Sequence, residues 1–278
     1  MTMIVVYNPS SGSSRPLAEL KELFSSNGVS VERFVTVDDD LSDFIKQNKT
    51  IAVIGGDGTI SSIAEKVRDT KAVLVPLPGG TLNHFTKDLG VPQDLEAAIK
   101  ALSKKKVRSI DVGTVNEKVF INNSSIGLYP SSLRERRRFE KAIGKWPALF
   151  VAGIRTFVRL PGYAITIGEE SFRTPFVFIG NNEYKLDELG AASRKRVDEG
   201  VLSVFIAKRA SRLSMLKIAF MALVGRAHLL NDFELRKTTN LTIKTSNARP
   251  SVSRDGEVHH MDSPLRYECK PASLRILG

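Results

Sequence analysis

Thr50-Ile51-Ala52-Val53-Ile54-Gly55-Gly56-Asp57-Gly58-Thr59 is the stretch on which the reading of this chain turns. A short run of apolar, β-prone residues stops at paired glycines, and residues 60–67 then read as a helix. A buried strand feeding a helix through a glycine turn is one βα step of an open parallel sheet. The same rhythm extends on both sides. Downstream, the strand candidate 72–77 ends in Pro78-Gly79-Gly80-Thr81-Leu82-Asn83, and a helix follows at 95–102. Upstream, Ile4-Val5-Val6-Tyr7 ends in Asn8-Pro9-Ser10-Ser11-Gly12. Between them come Leu17, Leu20, Leu23 and Phe24 at helical spacing, an alternating strand at 29–35 and a short helix at 41–48.

The residue types in the first turn point to an anion. Glycines turn tightly and let phosphate oxygens approach the backbone. The amides of the turn and of the next helix's first turn then face that anion. Asp57 would repel phosphate unless a cation lay between, so a Mg²⁺ bridge is expected. The plainer reading is a β-to-α turn capped by aspartate or threonine, but paired glycines around one aspartate exceed what capping needs. The second turn adds Gly79, Gly80, Thr81 and Asn83 at the carboxyl end of a neighbouring strand, where such sheets bind ligands. Asn8 and its loop lie on the same rim. No Gly-Lys-Ser or Gly-Lys-Thr of a Walker A loop occurs.

Near residue 110 the pattern changes to successive strand candidates at 109–115, 118–124, 162–167, 171–180, 202–207, 240–245, 251–258 and 273–277. Helical inserts are expected at about 130–160 and 211–230. The division expected is an α/β domain over 1–125 and a β-rich domain over 126–264, with the strand in 265–278 returning to the first.

The chain has 278 residues, a net charge of +11 and a pI of about 9.8, which favours polyanionic partners such as nucleotides or anionic lipid head groups. One cysteine, Cys269, excludes an internal disulfide and a cysteine zinc site. No apolar run is long enough to span a bilayer, and the opening residues lack a signal-peptide pattern, so a cytoplasmic location is expected. No helix-turn-helix, zinc or RRM pattern occurs, so nucleic acid is not an expected partner. Nothing fixes the oligomeric state, and a homodimer stays open.

Asp255-Gly256-Glu257 offers two carboxylates that share one side of a regular strand, one of them free to accept a proton. Read alone, Asp-Gly is a hairpin turn. His259 and His260 point opposite ways on a strand, and His84 reads as a packing or capping residue. Residues 133–160 and 209–226 mix Arg and Lys with Phe, Trp and Leu at helical spacing. They read either as membrane-surface helices or as packed helices with a solvated basic face.

Gly55-Gly56-Asp57-Gly58-Thr59, Pro78-Gly79-Gly80-Thr81-Leu82-Asn83-His84-Phe85, Asp88-Leu89-Gly90, Asp111-Val112-Gly113, Gly180-Asn181-Asn182, Asp198-Glu199-Gly200 and Asp255-Gly256-Glu257 together resemble the diacylglycerol kinase catalytic-domain family, with its sphingosine and ceramide kinase relatives. The resemblance covers nearly the whole chain. It implies a Rossmann-like α/β nucleotide-binding lobe, a β-sandwich lobe and a cleft between them. It implies ATP-dependent phosphorylation of a lipid hydroxyl at the membrane surface by a peripherally associated enzyme. By matching positions it implies ATP contacts at Thr36, Gly55, Gly56, Asp57, Gly58, Thr59, Ile60, Ser61 and Thr81. Asp57 and Asp111 would lie in a magnesium network, Asp198 or Glu199 at a second metal site, and Asp255 or Glu257 would be the general base. The family's aspartate-glycine order is altered at Asp198-Glu199-Gly200, which bears on the second metal and its ligand, and Glu183 to Gly190 replace a usual glycine- and proline-containing stretch, which implies a different lipid preference. The competing expectations are a NAD kinase, which shares the first glycine turn, and a non-catalytic nucleotide or anionic-lipid binding module.

Overall fold

The computed structural model describes residues 2–9, 15–127, 163–174, 176–186, 192–194, 196–206 and 234–278. The basic apolar stretches at 133–160 and 209–226 and the Ser10-Ser11-Gly12 loop lie outside the described residues.

The first lobe alternates as its apolar runs demand. In chain order come β1 (Thr2–Tyr7), α1 (Leu17–Ser26), β2 (Ser30–Thr36), α2 (Ser42–Lys46), β3 (Thr50–Gly55), α3 (Asp57–Val67), β4 (Val73–Pro78), α4 (His84–Asp88) and α5 (Leu95–Ala101). The four strands pair in parallel in the order β2-β1-β3-β4. Helices cover both faces, so β3 and β4 are apolar along their length instead of alternating. Ile51, Val53, Ile60, Ile63, Leu74 and Phe85 pack on one face, and Val5, Leu20, Phe24, Val75, Leu95 and Ile99 on the other. β1 lies between β2 and β3, so the strand order reverses there. Sheets of this kind open a crevice at the carboxyl ends of the strands at such a switch point.

The second lobe is a β-sandwich. β5 (Val107–Val115) and β6 (Lys118–Phe120) straddle the lobes, Ile110, Val112 and Val119 packing in the first core and Val115 and Phe120 in the second; then come β7 (Asn123–Gly127), β8 (Tyr163–Ile167), β9 (Glu170–Thr174), β10 (Phe176–Asn181), β11 (Tyr184–Leu186), β12 (Ala192–Arg194), β13 (Leu202–Ile206), β14 (Glu234–Thr238), β15 (Asn240–Thr245), β16 (Ser251–Arg254), β17 (Glu257–His260) and β18 (Leu265–Leu277). A six-stranded sheet, β14-β13-β10-β7-β16-β17, packs over a core that includes Phe120, Ile126, Ile179, Val204, Val252, Leu265 and Tyr267. β18 runs beside β4 at Ile276–Leu74 and beside β15 at 265–268, so one strand belongs to the sheets of both lobes.

Three strand candidates each split in two. Residues 118–124 divide into β6, which pairs with β5, and β7, which pairs with β10 in the other sheet. Residues 171–180 divide between β9 and β10, again in different sheets. Residues 251–258 fold back at Asp255-Gly256, with φ of 46° and 84°, to make the hairpin of β16 and β17. Alternation of side chains does not register where a chain leaves one sheet for another. Asp255 and Glu257 therefore do not share a side of one regular strand, as the sequence led us to expect. The first sits in a turn and the second opens a new strand.

Candidate active site

β3 delivers Gly55, and α3 starts within two residues. The main-chain NH groups of Asp57, Gly58 and Thr59 occupy the first turn of α3, where no helical carbonyl is available to them. Thr59 folds back on Gly55, where a Cβ would meet its side chain at 2.6 Å. Ile60 and Ser61 offer a ligand little. Ile60 is wholly buried and its amide donates to the Gly56 carbonyl, while Ser61 is buried with its hydroxyl 3.4 Å from the Val119 carbonyl.

The second glycine turn lies against the first, backbone on backbone. A Cβ on Gly80 would stand 2.5 Å from Gly56 Cα, and one on Gly79 would stand 2.7 Å from Gly55 N. The Gly79 amide donates to the Gly55 carbonyl at 3.1 Å, and the Gly80 amide to Asn83 Oδ1 at 2.9 Å. The Gly79 amide joins the two tips, and the Gly80 amide closes its own turn. Asn83 adopts the left-handed conformation at φ 51° to make its bond. Asp57 closes the same joint, its carboxylate accepting from the His84 and Phe85 amides at 3.0 and 2.8 Å and so capping α4. Thr81 stays exposed on the rim. A cavity of about 170 Å³ opens beside the turn, lined in part by Arg15, Ile54, Gly79, Asn83 and Gln93. Larger hollows at the α1–β2 edge and beside β8 and β9 do not touch these turns.

Backbone contact this close makes a prediction. Gly80→Ala forces the two tips apart and should cost about 1–3 kcal/mol of stability by overpacking. An unchanged urea midpoint would show that the tips are not in contact.

Asn8 follows β1 at the crevice and is half-buried. Thr36 ends β2, and its amide and hydroxyl bind Asp39 Oδ2 at 2.6 and 3.0 Å, so this hydroxyl shapes its own turn.

From the second lobe, the β16–β17 hairpin reaches across to α3. Asp255 Oδ2 accepts from the Ile121 amide at 2.8 Å, and Oδ1 from those of Asn122 and Asn123 at 2.8 and 3.1 Å. Burial pushes the Asp255 carboxyl above its usual range, while these amides and the Ser61 hydroxyl pull the other way. Glu257 points into the cleft. Its Oε1 lies 2.6 Å from where a Cβ on Gly58 would stand, so this flexible, exposed carboxylate rests against the first turn of α3. His259 Nε2 lies 3.3 Å from Arg254 Nη2 and 3.8 Å from the Glu257 carboxylate. Burial and then Arg254 lower the imidazole's pKa, which favours the neutral ring beside Glu257.

The expected magnesium ligands do not form a set. Asp57 is engaged by two amides, and Asp111 is buried with its oxygens accepting from Gly200 and Ala272 at 2.6 and 2.8 Å. Asp198 pairs with Arg196 at 3.0 Å, and Glu199 accepts from the Glu183 amide at 2.8 Å. Among the described residues, no group of three or more His, Cys, Asp or Glu side chains is gathered to hold a metal ion. The residues do not fit a protein-built cation site, and no step below is routed through one.

This arrangement has relatives. The diacylglycerol kinase catalytic domain matches residues 2–115, and the YegS C-terminal NAD kinase beta sandwich-like domain matches residues 131–278. The chain belongs to the family that carries the YegS C-terminal NAD kinase beta sandwich-like domain, here joined to a diacylglycerol kinase catalytic domain. A diacylglycerol kinase of Bacillus subtilis (strain 168) is 24% identical over 273 residues, covering 91% of this chain and 88% of its own length. One from Staphylococcus saprophyticus is 23% identical, also over 273 residues, with the same 91% and 88% coverage. The crystal structure of a diacylglycerol kinase from Bacillus anthracis str. Sterne superposes with a TM-score of 0.69 at 21% identity, covering 99% of this chain and 96% of that one, and this likeness speaks to the fold. Membership of a kinase family implies ATP as co-substrate.

For this lipid kinase family member, sequence reasoning assigned no function to Arg194 or to the 121–123 segment. Arg194 sits in a three-residue strand, and Ile121-Asn122 sits in a break between strands. Neither position carries a periodic signal. Only the chain's return through the second lobe brings them to the cleft.

Proposed function

We propose that this chain transfers the γ-phosphate of ATP to the hydroxyl of a diacylglycerol-like or sphingoid-like lipid, with Glu257 accepting the hydroxyl proton. One observation carries the reading: the Glu257 carboxylate of the second lobe lies against Gly58, in the α3 turn whose free amides suit phosphate oxygens. Phosphoryl transfer asks mainly for alignment, charge stabilisation and a nearby base, and these two elements supply them from opposite lobes. The triphosphate lies along the amides of residues 57–59. Gly55 and Gly56 allow the approach, Thr81 contributes from the rim, and Asn8 and Thr36 border the crevice. Gly79, Gly80, Asn83 and Asp57 keep the cradle in shape. Asp255 holds the hairpin that carries Glu257.

One exposed leucine beside clustered aromatic rings is compatible with a lipid acceptor. Leu235, Phe205, Phe178, Ser125, Ser253 and Val258 form one cross-strand row of the six-stranded sheet. Phe178 meets Phe205 and Tyr184 edge-on at 5.8 and 5.5 Å, and Leu235 is 48% exposed. The net charge of +11 favours work at an anionic membrane surface. No described helix is long and apolar enough to cross a bilayer.

The test is phosphate transfer from labelled ATP to micellar diacylglycerol, to a sphingoid base and to NAD, using purified protein. Label on lipid is the expected result. Label on NAD with none on either lipid overturns the reading.

A further inference from the structure

The two halves of the proposed site come from different lobes, and a buried guanidinium bridges them, besides the partly exposed Arg254, which meets Glu65 of α3 at 3.4 Å. Arg194 has a side chain with no exposed surface. Its Nε donates to Asp88 Oδ2 at 2.7 Å, and Asp88 ends α4, the short helix that Asp57 caps behind the glycine cradle. Its Nη1 donates to the carbonyls of Ile121 and Asn181 at 2.6 and 3.2 Å, and its Nη2 to Asn122 Oδ1 at 2.9 Å. Residues 121 and 122 are among those whose amides hold Asp255. The 121–122 segment is thus gripped through its amides by Asp255 and through its acceptors by Arg194. The Phe85 and Tyr184 rings lie 5.7 and 5.9 Å from the guanidinium carbon. Phe85 belongs to α4, so both the ring and the carboxylate of that helix fix the same group.

A buried ion pair of this kind is poor evidence for stability, because desolvation offsets much of the attraction. What it supplies is geometry. A planar fork with several donors fixes direction as well as distance, which an ammonium cannot do. We propose that Arg194 is a positioning residue that, anchored by Asp88, sets the separation between the glycine cradle of the first lobe and the Asp255–Glu257 hairpin of the second. The assignment rests on the kinase reading above only for its consequence for turnover. The coupling between lobes stands apart from it.

The experiment compares Arg194→Lys, Asp88→Asn and the milder Asn122→Ala with the unmodified protein. It measures kcat per folded molecule, affinity for a non-hydrolysable ATP analogue by calorimetry, and amide hydrogen exchange. Displacing the base from the cradle by about an ångström should lower kcat on the order of 10²-fold in Arg194→Lys and Asp88→Asn. Analogue affinity should stay within about threefold, since the cradle itself is intact, and Asn122→Ala should fall between. Exchange at residues 121–123 should quicken while the hydrogen-bonded amides of Gly79 and Gly80 keep their protection. Unchanged kcat per folded molecule in Asp88→Asn would overturn the proposal, as would analogue affinity falling in step with kcat. If Asp88→Asn and Arg194→Lys do not fold, Asn122→Ala decides by the same criteria. If the unmodified protein phosphorylates no lipid, the kinase reading falls and exchange alone judges the coupling: uniform protection at 121–123 across the variants would sink it.

Discussion

Glu257→Gln is expected to lower kcat for lipid phosphorylation by about 10²–10⁴-fold, the usual contribution of a positioned general base. The substitution keeps the size and reach of the side chain beside Gly58 and removes only the ability to take a proton. Glu257 is the carboxylate that fits this role, because Asp255 already has both oxygens bound to backbone amides. ATP affinity should hold or rise, since a negative charge near the phosphates is lost. Single-turnover measurements with saturating ATP separate the chemical step from binding. A variant with ordinary kcat and weakened ATP binding would make Glu257 a ligand-holding group and leave the base to be found elsewhere.

Asp255→Ala is expected to destabilise the protein by about 3 kcal/mol or more, because three buried amides lose their acceptor at about 1–3 kcal/mol each. Alanine also tolerates the turn's φ of 46° less well than aspartate does. Activity should fall with it, since the hairpin that carries Glu257 loses its hold on residues 121–123. Asp255→Asn should be milder. Its one carbonyl oxygen still serves Asn122 and Asn123, and only the Ile121 amide faces a donor. Urea unfolding of both variants checks the order. Two variants as stable as the unmodified protein, with kcat abolished in each, would make Asp255 a direct participant and not the support proposed here.

The α/β lobe was legible because its signals are local. β1, β3 and β4 are continuous apolar runs ended by a turn, the edge strand β2 alternates, and each helix has its own spacing, so β3, α3 and β4 fall where residues 51–77 indicate. The glycines were legible too, since only they permit backbone contact of the kind found between Gly56 and Gly80. Their division of labour was not. The sequence made both turns phosphate donors, whereas the Gly79 amide joins the two tips and the Gly80 amide closes its own turn. Asp255-Gly256-Glu257 reads equally well as a strand or as a turn. The choice depends on amides at 121–123, more than a hundred residues away in the chain.

By itself the amino-acid order determined the family, the two kinds of lobe and the cradle's glycine spacing, because hydrophobic periodicity and backbone freedom act over a few residues. Only the tertiary structure decided which carboxylate faces the α3 amides, which are locked behind it, and that Arg194 ties the lobes together. Those are questions of distance between segments far apart in the chain. Buried polar groups answer them by finding the partners that folding brings within hydrogen-bond reach.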